Sequence, residues 1–312
     1  MTLRHIEIFS VVCQEGSITR AAERLHISQP TVSVAIREME EYYGGCLFDR
    51  ISHKLYITPF GQRIYDYALR LLNLYADMAD AKFSFDRLRI GSGTAIGKLF
   101  MPTVVKSFLS LYPDIQICVN VGEATRMYHL VMKNALDFVI AEVVDDISGL
   151  SHHSIQHFPV VAVCHRSNPL AEKAVVTAPE LAREHLLLRE LGSHTRSGVD
   201  TYFQTHNLTV APMWESYSVQ SLLNAATEGI GVSFLSLDHV LAYGSPDLVI
   251  LNIPDFRAER YVHVCYHKDK IFTPLIQNFL DYYVQSTKAL LQEGIKRYQA
   301  EHAGSTYSFP QL

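Results

Sequence analysis

The side chains best suited to chemistry outside a folded core are hydroxyls, amides and arginines concentrated between residues 17 and 37. The stretch reads Ser17-Ile18-Thr19-Arg20-Ala21-Ala22-Glu23-Arg24-Leu25, then His26-Ile27, then Ser28-Gln29-Pro30-Thr31-Val32-Ser33-Val34-Ala35-Ile36-Arg37. Glutamine can pair with adenine through two hydrogen bonds, arginine can bind guanine or phosphate, and serine can bind either. We therefore predict that this stretch contacts DNA.

Two short helices separated by a tight turn must position these groups. In the first helix Ile18, Ala22 and Leu25 form one buried stripe, because they are spaced at i, i+4 and i+7. Ser28 is a good N-cap for the second helix, and Pro30 lies in its first turn, where no helical N–H is lost. The apolar face of this helix is formed by Val32, Ala35, Ile36, Met39 and Tyr43. Its other face suits the major groove and carries Gln29, Pro30, Ser33, Val34 and Arg37.

The N-terminal region resembles the signature of the LysR-type transcriptional regulators. The matching residues are Phe9, Gly16-Ser17, Ala21-Ala22, Leu25, Ser28-Gln29-Pro30, Val32-Ser33, Ile36, Glu40, Gly44, Leu47-Phe48, Arg50, Thr58 and Gly61. An amphipathic hairpin inside an unrelated enzyme would have to match all of them by chance. One departure is Val34, which stands where many relatives carry arginine, so that the helix could hold fewer phosphates.

The resemblance implies a winged helix-turn-helix domain over residues 1–58 that binds double-stranded DNA. Arg50 to Thr58 then form a β-hairpin wing, with Arg50, His53 and Lys54 reaching phosphate or the minor groove; the alternative for all three is a solvated hairpin charge. The DNA contacts expected by position are Ile18, Thr19, Arg20, Ser28, Gln29, Pro30, Thr31, Ser33, Val34, Arg37, Arg50, His53 and Lys54.

A long helix should follow over residues 59–86, because Thr58 can cap it and Pro59 suits its first position. At 1.5 Å per residue it would be roughly 40 Å long. An apolar seam of period 3.5 runs along it through Ile64, Ala68, Leu71, Tyr75 and Met78. In LysR-type regulators this linker helix pairs two subunits, which implies a homodimer or homotetramer. The alternative is that it packs on its own C-terminal domain.

From residue 87 strands and helices alternate, which predicts parallel sheet with crossover helices. Two α/β lobes crossed twice resemble the regulators' effector domain, which has the architecture of type II periplasmic binding proteins. We assign residues 87–162 and 267–300 to lobe I, residues 163–266 to lobe II, and residues 301–312 to a flexible tail. The whole chain is thus an α+β multidomain protein, with helices at 98–111, 125–134, 195–206, 218–228 and 273–298 and a strand at 158–165 among its elements.

Ligands in such folds bind where the strands end and the helices begin. Two hydroxyl-rich turns fit, namely residues 91–95 and residues 192–198. Arg196, beside a helix N-terminus in the second turn, favours an anionic effector, because a cation there opposes the helix dipole. Ordinary capping is the alternative for both turns, and Glu142 could bind an amino group or be a solvated acid of the hinge. The effector residues we predict are Ser92, Gly93, Thr94, Glu142, Ser193, His194, Thr195, Arg196 and Ser218.

Composition limits the alternatives. The net charge of −5, with six positive and seven negative side chains in residues 1–58, is not that of a non-specific nucleic-acid binder. The five scattered cysteines suggest buried thiols, with a redox-sensing pair as the lesser alternative. We expect no membrane span, no cofactor and no metal, since His152, His153 and His157 lack partners at ligand spacing. We expect the cytoplasm as its location.

No enzyme motif is present: Gly91-Ser92-Gly93 lacks the further glycine and acid of a dinucleotide site, and no Gly-x-Ser-x-Gly elbow occurs. Our hypothesis is a regulator that binds a dyad operator and a small effector, with RNA polymerase as a further candidate partner. The rivals are a bilobal solute-binding protein with an unrelated helical start, and a regulator whose crevice is vestigial.

Overall fold

The N-terminal helices begin and end where the sequence provides caps. The structure, a computed structural model, describes residues 1–51, 54–80, 87–142 and 147–309. Ser17 Oγ accepts a hydrogen bond from Arg20 N (3.3 Å) and Ser28 Oγ accepts one from Thr31 N (3.3 Å). Gly44, at φ +66°, ends the helix that Ser28 begins. The elements are α1 (Leu3–Glu15), α2 (Ile18–Leu25), α3 (Gln29–Tyr43), β1 (Phe48–Ile51) and β2 (Lys54–Ile57).

Two contacts fix the β1–β2 wing to α3 and to the helix that follows. The Glu40 carboxylate, on α3, accepts hydrogen bonds from Leu47 N (2.7 Å) and Phe48 N (3.3 Å). At Gly61 the backbones approach so closely that a Cβ would lie 2.1 Å from Leu47 O. The β1–β2 hairpin therefore starts from a fixed point beside α3.

Helix α4 (Pro59–Asp80) begins at the predicted residue, and residues 81–86 of the predicted helix lie outside the described residues. Its seam divides into two parts. Ile64 and Ala68 pack into the N-terminal core. The rest of the apolar stripe is exposed, namely Tyr67, Leu71, Leu74, Tyr75 and Met78. The helix also contacts its own C-terminal domain, because Asn73 Nδ2 donates to Lys133 O (2.6 Å).

The C-terminal domain alternates strands and helices as predicted. Its first part comprises β3 (Arg87–Gly93), α5 (Thr94–Leu99), α6 (Met101–Leu111), β4 (Gln116–Gly122), α7 (Ala124–Met132), β5 (Phe138–Ala141) and β6 (Leu150–His165). A short 3₁₀ turn (Pro169–Glu172) precedes α8 (Ala178–Leu181), β7 (Leu186–Arg189), α9 (His194–Thr205), β8 (Pro212–Ser216) and α10 (Val219–Thr227). The last elements are β9 (Val232–Ser236), α11 (Leu237–Tyr243), β10 (Leu248–Ile250), β11 (Glu259–His267) and α12 (Pro274–Glu301).

Two strands carry the chain between lobes. The described strands lie in the order β4-β3-β5-β11-β6-β9-β7-β8, with β10 also paired to β6. Strand β11 is antiparallel to β6, and the register shifts between Val262 and His263. Residues 150–154 of β6 belong to the side that holds β3–β5, which we call lobe I, and residues 160–165 pair with β9 and β10 in lobe II. The crossing therefore lies near residues 155–159, slightly before the predicted boundary at residue 162.

The structure corrects several predicted elements. The helix expected at 98–111 is two helices, since Pro102 cannot donate to residue 98 and α6 starts anew after Phe100. The strand expected at 158–165 begins at Leu150. Helix α11 was not predicted at all, because seven residues are too short a window for a helical period to be recognised.

The tail also differs from the expected flexible segment. Tyr298, on α12, packs edge-on against Phe309 with ring centroids 5.6 Å apart, and Phe309 packs on Tyr307 at 5.0 Å. Burial raises the pKa of Tyr307 to about 12. Residues 303–309 are thus folded onto the domain, and residues 310–312 lie outside the described residues.

Asp137 joins three distant parts of lobe I. Its carboxylate accepts hydrogen bonds from Arg89 N (2.7 Å), Arg89 Nη2 (3.1 Å) and Lys270 Nζ (2.6 Å). Burial pushes the pKa of Asp137 upward, but the charges of Lys270 and Arg89 outweigh it and hold the pKa below its ordinary 3.8.

We expect Asp137→Asn to destabilise the protein at pH 7 by roughly 3 kcal/mol, because it leaves two positive charges without their buried partner. A carboxylate with a lowered pKa stabilises fully above its unfolded value and loses that effect as the pH falls through its folded value. The gap between wild type and variant in urea unfolding should therefore narrow below pH 3.8. Asp247→Asn, which breaks the exposed 3.8 Å pair with Arg166, is the control and should change stability by at most about 1 kcal/mol. A stability difference between wild type and Asp137→Asn that is the same at pH 7 and below pH 3.8 would contradict this account.

Candidate DNA-binding face and interlobe cleft

Helix α3 turns its predicted reading face to solvent. Gln29, Pro30, Thr31 and Arg37 are exposed. Val34 is also 40% exposed, although valine side chains are more often buried. The opposite face of α3 supplies Val32, Ala35, Ile36 and Met39 to the N-terminal core. The face is therefore held rigidly by packing behind it.

The other predicted DNA contacts divide by their surroundings. Thr19, Arg20 and Ser28 are exposed, whereas Ile18 and Ser33 are half-buried. Ser28 Oγ is already used, since it caps α3 and lies 2.8 Å from Thr31 Oγ1.

Two of the arginines that we predict to contact DNA have partners within the chain. Arg20 donates to Glu15 O, and Arg37 Nε lies 3.6 Å from Glu41 in an exposed pair. An exposed pair of this kind is weak and can be exchanged for phosphate. Of the wing residues, His53 lies outside the described residues, as do the side chains of Arg50 and Lys54.

A cleft between the two lobes is formed by strand-to-helix turns. Lobe I contributes the β3–α5 and β4–α7 turns and the end of β5, and lobe II contributes the β7–α9 and β8–α10 turns. The cleft contains two adjoining cavities of about 470 Å³ and 660 Å³. Both are lined by Thr94, Ala95, Glu142, Arg189, Glu190 and Tyr217.

Six of the predicted effector residues line this cleft. They are Gly93, Thr94, Glu142, Ser193, His194 and Ser218. Thr94 Oγ1 donates to Gly122 O (3.3 Å) and so ties the start of α5 to the end of β4. Ser218 Oγ accepts from Ser221 N (3.3 Å) and Ser193 Oγ accepts from Arg196 N (3.1 Å), so these two serines combine helix capping with cleft lining.

Arg196 is not an unpaired cation at the start of α9, contrary to our prediction. Its guanidinium is buried and bonded to Asp200 (2.9 Å), Glu215 (2.8 Å) and Arg189 O (2.9 Å). Two carboxylates of the chain already compensate the charge that we expected an anionic ligand to meet. Thr195 is likewise buried, at 4% exposure, and neither residue lines the two cavities.

Ser92 is a second correction. Its side chain is fully buried within β3, and its hydroxyl donates to Gly93 O (3.1 Å). Like Thr195 and Arg196 it does not line the two cavities. Strand β3 continues through Gly93, so the first hydroxyl after the strand is that of Thr94.

Several residues that line the cleft were not predicted. Arg189 is the last residue of β7 and Glu190 follows it, and the two pair with each other through two 2.8 Å hydrogen bonds. Like Glu142, they lie at the carboxyl end of a predicted strand, where ligands bind in such folds, so the sequence alone could have identified them. Lys98 and His239 also line the larger cavity. Among the described residues, no ion pair is formed by Lys98.

Beneath the cleft, Glu142 is held by a buried cation. Arg260, on β11, is 1% exposed, and its Nε lies 3.4 Å from Glu142 Oε1 while Nη2 lies 3.3 Å from Asp238 Oδ2. Arg260 Nη1 donates to His239 Nδ1 (3.3 Å). Burial would raise the pKa of Asp238, but the charge of Arg260 outweighs it and lowers that pKa. The carboxylate of Glu142 therefore enters the cleft wall already paired.

The histidines of β6 and β11 lie close together. His152 and His263 have ring centroids 5.3 Å apart. Burial, followed by the charges of His152, His194 and His153, lowers the pKa of His263. Within the described ranges, no three His, Cys, Asp or Glu side chains converge as metal ligands.

All five cysteines are free thiols. Cys46 and Cys118 are exposed, and burial raises the pKa of Cys13, Cys164 and Cys265 to about 12. The three raised thiols stay protonated near neutral pH and are poor nucleophiles. In the part of the chain that the structure describes, no helix is long and apolar enough to cross a membrane.

Comparison with known proteins gives two family matches. Residues 3–62 match the bacterial regulatory helix-turn-helix protein, lysR family, and residues 84–288 match the LysR substrate binding domain. The chain is 27% identical over 287 residues to the HTH-type transcriptional activator CmpR of Synechocystis sp., covering 90% of this chain and 94% of CmpR. It is 29% identical over 297 residues to the HTH-type transcriptional regulator CfxR of Cupriavidus necator, covering 93% of each.

Solved structures share the whole architecture. A full-length OxyR variant from Pseudomonas aeruginosa superposes with a TM-score of 0.66 at 20% identity, covering 92% of this chain and 95% of that one. Full-length CbnR complexed with its target DNA gives a TM-score of 0.53 at 18% identity, covering 92% and 100%. Because the two family matches together span most of the chain, it belongs to the LysR family of transcriptional regulators.

Proposed function

We propose that this regulator binds a dyad operator as a dimer or tetramer and is switched by a small anionic metabolite in the interlobe cleft. It would act on DNA in the cytoplasm, with RNA polymerase as a further partner. The observation that carries the proposal is the exposed face of α3, where Gln29, Val34 and Arg37 project from a helix whose other side is buried. This arrangement suits insertion into a major groove.

The exposed stripe of α4 supports the doubling of the module. Tyr67, Leu71, Leu74 and Met78 recur at i, i+4, i+7 and i+11, which places them on one side of the helix. Exposed apolar side chains in such a row are typical of a protein–protein contact. Two N-terminal domains joined in this way would bind two half-sites. The doubled set of DNA contacts compensates for the lack of net positive charge in each N-terminal domain.

The electrostatics of the cleft support an anionic effector. The support does not come from Arg196, as the sequence suggested, but from the charges and helix N-termini that line the two cavities. Glu190 is paired with Arg189, and Glu142 shares the Arg260 guanidinium with Asp238, so each of these two wall acids has a cation beside it. Lys98 adds a positive charge to the larger cavity. The N-termini of α7, α9 and α10 also face the cleft and favour negative charge.

For the DNA face, we expect Gln29→Ala to relax base choice at one position of each half-site by roughly tenfold, since a bidentate base contact discriminates by about 1–3 kcal/mol. Selection of duplexes from a random library by wild type and variant measures this. Arg50→Ala should instead weaken all sequences alike, and Gln299→Ala, exposed at the far end of α12, should change nothing. An unchanged base preference in Gln29→Ala would show that α3 is placed wrongly.

For assembly, we expect Leu71→Glu to convert dimers to monomers and to remove tight operator binding, because a charge would be buried in the apolar contact. Sedimentation velocity of the full chain provides the measurement. Ala76→Glu adds the same charge to another exposed side of the same helix and should leave the dimer intact. A stable Leu71→Glu dimer would rule out α4 as the contact.

For the effector, we expect Lys98→Ala to weaken binding of an anion roughly tenfold or more, since a hydrogen bond to a charged group contributes about 1.5–3 kcal/mol. Thermal shifts of the full chain with a panel of small carboxylates and phosphate esters identify a ligand, and calorimetry compares the variants. Lys106→Ala, an exposed lysine on α6 that does not line the two cavities, is the control. A ligand that proves cationic would end the anionic assignment.

A further inference from the structure

Helix α12 carries one buried stripe along nearly its whole length. Its members are Ile276, Leu280, Tyr283, Thr287, Leu291, Gly294 and Tyr298, spaced by three and four residues. The helix has 28 residues and at 1.5 Å each spans roughly 40 Å. It is therefore a single stiff rod with one continuous contact surface.

The two ends of that surface rest on different lobes. Near its start, Phe279 packs on Phe108 of α6 and Phe138 of β5, with ring centroids 5.0 Å and 6.0 Å apart. Midway, Thr287 Oγ1 donates to Gln156 Oε1 (2.9 Å), where β6 crosses between lobes. The first half of α12 thus belongs to lobe I and reaches the hinge.

The second half is bonded to lobe II. Tyr298 Oη accepts a hydrogen bond from Ile250 N (2.7 Å), the amide at the end of β10. Gly294 lies so near α11 that a Cβ there would be 3.0 Å from Leu241 Cβ, and Arg297 donates to Leu241 O. His302 adds a contact, since its Nε2 lies 3.1 Å from Pro246 O.

The tail extends this attachment. Phe309 covers Tyr298, and Thr306 Oγ1 lies 3.5 Å from Lys173 O, beyond β6 in lobe II. The match to the LysR substrate binding domain ends at residue 288, so the contacts with lobe II come from residues beyond it. We call residues 289–309 the strap.

We propose that the strap ties lobe II to lobe I behind the hinge and thereby sets how far the effector cleft can open. The lobes cannot rotate apart without breaking either the Phe279 contacts or the Tyr298 contacts, because a rigid helix joins them. The apolar core agrees, since residues of both lobes, such as Phe100 and Leu237, lie in one continuous cluster with α12. This inference rests on the proposed function only in taking the cleft as the effector site.

Hydrogen exchange of the full chain tests the strap without an effector. Tyr298→Phe keeps the ring and removes only the oxygen that accepts from Ile250, so exchange of that amide should rise about fivefold, the factor for one net hydrogen bond. If the strap limits opening, exchange at the cleft turns 93–95 and 217–220 should rise with it. Gln292→Ala, exposed on the same helix, is the control and should match wild type.

Deleting residues 289–312 is the stronger variant and should raise exchange at both cleft turns by about a hundredfold, since it removes buried Leu291 and Tyr298 together. Increased exchange confined to residues 241–250, with both cleft turns unchanged in Tyr298→Phe, would overturn the proposal. Tyr298→Phe still decides the question if the deletion unfolds the domain. Tyr298→Phe should still select the same DNA sequences as wild type. If wild type itself selects no DNA sequence, that result would contradict the proposed function but not the role of the strap.

Discussion

The constraint on which the effector domain depends is the burial of one guanidinium. Arg260 is almost wholly excluded from water and lies over the Phe158 ring at 5.4 Å, and a buried cation must be matched by negative charge. Its matching carboxylates come from different lobes: Glu142 follows β5 in lobe I, and Asp238 opens α11 in lobe II. The two lobes are therefore held together electrostatically under the floor of the cleft. The relative position of the two cleft walls depends on these ion pairs.

Much of the architecture was predictable because the chain satisfies local rules consistently. Caps at Ser17, Ser28 and Thr58 mark helix starts, and buried apolar strands separated by helical segments predict parallel sheet. The rule that ligands bind at the carboxyl ends of strands drew attention to Thr94 and Glu142, and both line the cleft; binding of an effector by them stays a prediction. These features depend on residues close in sequence, which is why a sequence alone reveals them.

For Arg196 and for the tail, the structure departs from the predictions because some of their partners are distant in sequence. The sequence presents Arg196 as a cation awaiting a ligand, but the structure pairs it with Asp200 and with Glu215, nineteen residues away. The i, i+4 relation to Asp200 was readable, whereas the relation to Glu215 required the packing of β8 beside β7. Likewise, Tyr307 and the tail have no periodicity that predicts where they fold, because their anchors lie on α12 and in lobe II.

The order in which the chain leaves the ribosome gives the crossed topology a consequence for synthesis. Strand β11 inserts between β5 and β6, and Lys270 reaches Asp137 across 133 residues, so lobe I cannot be completed until lobe II has been made. The N-terminal domain instead closes through contacts within about its first seventy residues. Local contacts form faster than distant ones. A nascent chain should thus display a finished helix-turn-helix domain while its C-terminal domain is still incomplete, and any response to an effector would begin only after α12 emerges.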